Sequence, residues 1–198
     1  VNSHFALLGG AAEGVAVVEM AAAAGLRLVP RDMRDPTQTT TYGVGELILA
    51  ALEHDIHTIL IGCGDSGTSD GGLGALQALG ARVTDKDGNE VGQGGRYLSQ
   101  VAALDMSGLP DAIRNGKVKL VMALNAHNIL TGERGVARVF GPQKGATPAQ
   151  VEELEKGFEN WAAKLAEYRL PQAGSVDFAK GAGTGASGGL GAGLAAVG

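Results

Sequence analysis

Thr58-Ile59-Leu60-Ile61-Gly62-Cys63-Gly64-Asp65-Ser66-Gly67-Thr68-Ser69-Asp70-Gly71-Gly72-Leu73-Gly74-Ala75-Leu76-Gln77-Ala78-Leu79-Gly80 is the stretch on which the fold turns. It opens on a short, largely apolar run rich in β-branched residues, as a buried parallel strand would be. Glycines and hydroxyl side chains then fill positions 62–72. Leu73, Leu76, Ala78 and Leu79 follow at helical spacing, and Gly80 supplies a stop. Strand, glycine-hydroxyl loop and helix in that order bring small side chains and bare N–H groups to a helix N-terminus, where anions bind readily. No Gly-Lys-Ser/Thr follows the glycines, so this is not a Walker loop. The same residues also suit a plain tight turn.

Working outward, Gly14–Met20 and Lys117–Leu124 read as two further strands. Helices are expected near Gly43–His54, Gly72–Leu79 and Pro148–Tyr168, the first with Leu47, Ile48, Ala51 and Leu52 on one face. The last opens on Thr147-Pro148-Ala149-Gln150, an N-cap threonine, a proline at the first position and a glutamine three residues after the cap. Val151, Leu154, Phe158, Trp161, Ala162 and Leu165 then form a core stripe. Asp87-Gly88 signals a hairpin turn. His54 and His57 read as surface or capping histidines, because no carboxylate or cysteine is spaced with them as a metal set would need. Asn125-Ala126-His127-Asn128 lies at the carboxyl end of a strand, the place where open α/β sheets bind ligands; an Asn-rich turn explains it equally well. The alternation of short apolar runs with amphipathic stretches predicts an α/β fold, a mostly parallel sheet flanked by helices, with residues 1–198 as one region.

The 198 residues allow a sizeable core. A hydrophobic content of 44% against 19% charged is that of a globular chain, and 33 glycines with only 4% aromatics predict packing through Ala, Val, Leu and close backbone contacts. A net charge of −5 without a basic cluster gives no electrostatic reason to expect nucleic acid. No apolar run reaches membrane-spanning length. Cys63 alone rules out an intramolecular disulfide and favours a reducing, cytoplasmic setting. The segment Gly181–Gly191 reads as a packed glycine turn rather than a linker, and Leu194–Gly198 as an apolar tail that packs into further protein. Both ends read as cut.

Taken in order, several segments resemble the bacterial glycerate kinase family. They include Val18-Glu19-Met20-Ala21-Ala22-Ala23, Thr39–Gly43 with Gly45-Glu46-Leu47-Ile48, and Ile61-Gly62 leading through Ser66, Thr68 and Asp70-Gly71-Gly72. The run continues in Leu76–Ala81, Leu130-Thr131-Gly132 and Val139-Phe140-Gly141-Pro142-Gln143-Lys144-Gly145-Ala146. The resemblance covers essentially the whole chain, which would form the central part of a two-lobed kinase. It implies phosphorylation of D-glycerate, or a related small acid, by ATP with Mg²⁺. In that setting Ser66 and Thr68, with loop N–H groups including those of Gly71 and Gly72, would hold phosphate or carboxylate oxygens, together with Asn125 and Asn128. Lys144 would neutralise developing charge, and Asp70 would hold Mg²⁺ or act as base. A homo-oligomer is left open.

Departures from the family pattern raise a second expectation. Asp65 replaces a loop glycine and adds a carboxylate beside the proposed anion site. Asn125 stands where the family carries an acid. The family's flanking segments, Ala-Pro-Asp-Ser-Phe-Lys-like before and Asp-x-Gln-Thr with Gly-Lys after, have no counterpart in the chain, so little glycerate kinase activity is expected of these residues by themselves. The alternative is a serine hydrolase or esterase on the same scaffold. Gly64-Asp65-Ser66-Gly67 resembles the surroundings of some hydrolase serines, with Ser66 as nucleophile, His127 as base and Asp65 or Asp70 orienting it.

Overall fold

The apolar runs pair into one sheet. In the computed structural model, which describes residues 1–198, β1 (Ala6–Leu7), β2 (Val15–Glu19), β3 (Thr58–Gly62) and a strand at Lys119–Ala123 lie side by side in that order. The first pair is antiparallel and the others are parallel. Between β2 and β3 the chain forms α1 (Met20–Ala24) and α2 (Tyr42–Ala51). After β3 come α3 (Leu73–Ala78) and then β4 (Arg82–Thr84) and β5 (Ala103–Asp105), which pair with each other as a separate antiparallel ribbon. The chain reaches the Lys119–Ala123 strand, β6, through α4 (Asp111–Arg114). It finishes with α5 (Val136–Phe140), α6 (Pro148–Tyr168) and α7 (Ala186–Ala195).

Central placement explains the composition of β3. Its partners on either side align Val18 with Ile61 and Ile61 with Met122. Ile59 and Ile61 are fully buried, as are Ala16 and Val18 beside them. β6, the edge strand, is more open on both faces, with Lys119 and Val121 exposed and Leu120 and Met122 half-buried. The expected strands and helices form within two or three residues of their read boundaries, and α6 spans Pro148–Tyr168 as expected. Gln150 N–H donates to Thr147 Oγ1 at 3.3 Å, and Thr147 N–H donates to Gln150 Oε1 at 2.9 Å, closing a capping box. The stripe from Val151 to Leu165 is buried, including Trp161. The Asp87-Gly88 turn folds Glu90 back beside Thr84, with Val91 N–H donating to the Val83 carbonyl at 3.0 Å.

The tail behaves differently from its sequence. Leu194, Ala196 and Val197 are buried in this chain's own core, and Leu170 N–H donates to the Ala196 carbonyl at 2.9 Å. Glycine makes this possible. A Cβ on Gly72 would sit 3.1 Å from the Gly193 Cα, so α7 approaches the start of α3 with no side chain between them. At Gly71 the φ is +65° and a Cβ would lie 2.5 Å from Trp161 Cδ1. The bare backbone there lets Trp161 Nε1 donate to the Gly71 carbonyl at 2.8 Å.

Candidate functional site

β3 and β6 are parallel and in register from Thr58 beside Lys119 to Gly62 beside Ala123. The loops that follow them therefore leave the same edge of the sheet. The start of α7 and the short turn Pro142–Lys144 close over these loops around a cavity of about 410 Å³. Ser66, Asn125, Asn128 and Lys144 all line it, as do Cys63, Asp65, Gln143 and Ser187. Its size suits a small molecule.

The loop after β3 is held at its middle. Leu26 N–H donates to the Asp65 carbonyl and Gly67 N–H donates to the Ala24 carbonyl, both at 2.8 Å. Between these clamps Ser66 is 8% exposed. On the part of the loop that lines the cavity, the N–H groups of Gly64, Asp65 and Ser66 donate to no protein acceptor; those of Thr68, Ser69 and Asp70 beyond it donate to none either. Asp65 takes a left-handed φ of +48°, and Ser187 across the cavity one of +52°; no other non-glycine residue of the chain has a positive φ. Both line the cavity, and such backbone strain gathers at functional sites. Ser187 Oγ is buried without a partner.

Lys144, expected to neutralise developing charge, lines the cavity but is only 2% exposed. Its Nζ donates to Ser66 Oγ at 2.9 Å and to the Thr68 carbonyl at 2.6 Å. It forms no ion pair with any carboxylate. Burial lowers its pKa to about 7, against an opposing pull from the charge of Asp70.

Asp70 departs from its expected part as an Mg²⁺ ligand or base. It is 0% exposed and lies outside the cavity lining. Thr41 donates to its Oδ2 through N–H at 2.7 Å and Oγ1 at 2.9 Å, and the N–H groups of Gly72 and Gly74 donate at 3.2 Å. Both oxygens are thus occupied by the fold, tying the start of α2 to the start of α3. Burial pushes its pKa above the ordinary aspartate value despite these bonds. Gly71 and Gly72 are corrected likewise: their N–H groups are committed to the Gly188 carbonyl and to Asp70 Oδ1, so neither is free for phosphate. Thr68 is buried away from the cavity and contributes its carbonyl to Lys144, while its Oγ1 has no partner.

The hydrolase constellation is not assembled. Ser66 Oγ bonds to Lys144 rather than to His127, whose exposed ring makes no hydrogen bond and lies outside the cavity lining. The His127 N–H donates to Asn125 Oδ1 at 3.0 Å, so the asparagine closes an Asx turn beside the cavity. His54 and His57 are exposed, as expected. No group of three or more His, Cys, Asp or Glu side chains converges as a metal cluster. The hard oxygen donors on the cavity wall include the Asp65 carboxylate and the amides of Asn125, Asn128 and Gln143, a set with a single carboxylate that fits an Mg²⁺ sharing its shell with phosphate and water. Of the lining residues, sequence reading gave no site role to Cys63, Gly64, Gln143 or Ser187; the glycine runs around Cys63 and Ser187 were the available signal.

Known proteins place this architecture. The family model for the Glycerate kinase family matches residues 1–198. Over 191 residues the chain is 48% identical to the glycerate kinase of Bacillus subtilis (strain 168), covering 96% of this chain and 48% of that protein. It is 45% identical over 181 residues to the glycerate 2-kinase of Escherichia coli (strain K12), covering 91% of this chain and 46% of that one. A crystal structure from Salmonella typhimurium LT2, assigned as glycerate kinase 2, superposes with a TM-score of 0.90 at 44% identity, covering 99% of this chain and 51% of that one. The chain spans about half the length of the curated relatives it matches.

Proposed function

The chain belongs to the glycerate kinase family, and on that premise we propose that its cavity is part of a site where ATP phosphorylates D-glycerate. The observation that carries this reading is the Lys144–Ser66 pair, buried beside the cavity-lining N–H groups of Gly64, Asp65 and Ser66, which have no protein acceptor. Carboxylate or phosphate oxygens would be held by the N–H groups of Gly64, Asp65 and Ser66 and by Ser66 Oγ, with Asn125 and Asn128 orienting hydroxyls. Mg²⁺, held by Asp65 and the two asparagines, would neutralise charge on the phosphates. Asp70 serves by fixing the loop rather than by touching a ligand. The lone Cys63 is consistent with a cytoplasmic setting.

The test is a coupled ADP-release assay with D-glycerate, using the protein that carries these 198 residues, run beside a p-nitrophenyl ester assay. Glycerate-dependent ADP release that Ser66→Ala reduces supports the reading. No such release, with ester turnover that Ser66→Ala abolishes, overturns it in favour of a hydrolase.

A further inference from the structure

Lys144 has an environment that suits an amine better than an ammonium. A neutral amine has two N–H groups and one lone pair, and the two acceptors around Nζ, Ser66 Oγ and the Thr68 carbonyl, match the two N–H groups. A third N–H would find no protein acceptor, and no carboxylate pairs with the nitrogen. The side chain nonetheless lines the cavity, so its remaining valence is offered to whatever the cavity holds. The only acids near enough to compete for a substrate proton are poorly placed: Asp70 is saturated and outside the lining, and Asp65 is exposed at the rim. The Cys63 thiol, also on the wall, is pushed up by burial and so stays protonated.

We propose that Lys144, as a free amine, is the base that takes the proton from the attacking hydroxyl, with Ser66 and the Thr68 carbonyl as the positioning groups that aim its lone pair. This rests on the kinase reading. The hydroxyl oxygen forms a bond to the γ-phosphorus of ATP while the bond from that phosphorus to the β,γ-bridging oxygen breaks, its electron pair leaving on ADP. The proton moves to Nζ, giving the ammonium, and passes to solvent after product release. Burial lowers the Nζ pKa to about 7, which suits a base working near neutrality. The charged group acting on Nζ is Asp70, which favours the ammonium; Asp65 and Cys63 are the other titratable groups on the cavity wall.

The test compares wild type, Lys144→Arg and Lys144→Ala in the protein carrying these residues. Wild-type kcat is expected to rise through one ionisation near neutrality. Lys144→Arg fixes a permanent charge and offers no basic lone pair, and should lose about 10²-fold or more in kcat with little change in KM. Lys144→Ala should regain turnover when methylamine is added. Independently of activity, the NMR resonance of ¹³C-methylated Lys144, assigned by its absence in Lys144→Arg, should titrate near neutrality. A fully active Lys144→Arg, a methylamine-insensitive Lys144→Ala, or titration at the ordinary lysine value overturns the proposal and leaves the kinase reading standing. A wild type without glycerate-dependent ADP release overturns both.

Discussion

Replacing Lys144 by methionine should change how stability depends on pH, in an amount set by the burial of the amine. Methionine keeps an unbranched chain and removes the charge. The unfolded chain holds the lysine proton up to 10.5, whereas the folded chain releases it at about 7. Between those values the unfolded state binds one proton more, so wild-type stability rises with pH across that window, by about 1.4 kcal/mol per pH unit. Below the folded value both states are protonated, and the full cost of burying the ammonium applies, ~5 kcal/mol over the whole gap. The variant carries no such cost. It instead leaves the buried Thr68 carbonyl without its donor, about 1–3 kcal/mol and independent of pH. Urea unfolding of both proteins at a series of pH values isolates the effect, because other ionisations cancel in the difference. The variant should be the more stable near neutrality and should lose that lead by about pH 10. Stability curves that stay parallel from neutral to alkaline pH would refute the reasoning, since Lys144 would then keep its proton in the folded state.

Other substitutions probe the scaffold and the cavity. Gly71→Ala forces a Cβ against the Trp161 ring at a φ of +65° and is expected to cost at least ~2 kcal/mol, read as a lowered Tm. Thr147→Ala breaks the capping box of α6 and should cost ~1 kcal/mol in urea unfolding without altering ligand binding. Asp65→Asn removes the carboxylate from the cavity rim while tolerating the left-handed backbone, so calorimetry should show D-glycerate bound several-fold more tightly without added Mg²⁺.

The sheet and the long helix were legible because periodicity and capping are local. Thr58–Ile61 read as a buried strand from its β-branched run, and forms one with Ile59 and Ile61 fully buried, while Thr147-Pro148 with Gln150 fixed where α6 begins. The roles of the loop residues were not legible, because each depends on a partner far along the chain. Lys144 meets Ser66 across 78 residues, and Asp70 meets Thr41 across 29. An acid in a glycine loop looks the same in sequence whether it faces a ligand or caps two helices, and only the fold decides. The tail misled for a related reason: Leu194 and Val197 look unpartnered until Gly72 and Gly193 bring α7 against α3. The departure at Asn125 was correctly located at a strand end, but its Asx turn shows a local structural use beside any contact with a ligand.

Trp161 is the sole tryptophan of the chain, and its indole N–H is anchored to the carbonyl of Gly71, five residues beyond Ser66. The chain therefore contains its own optical sensor for the state of that loop. A ligand that draws Ser66 inward tugs on the indole hydrogen bond and changes the emission of a ring otherwise sealed in the core. Binding can be followed by intrinsic fluorescence without a label, and a ligand that leaves the loop at rest should be optically silent.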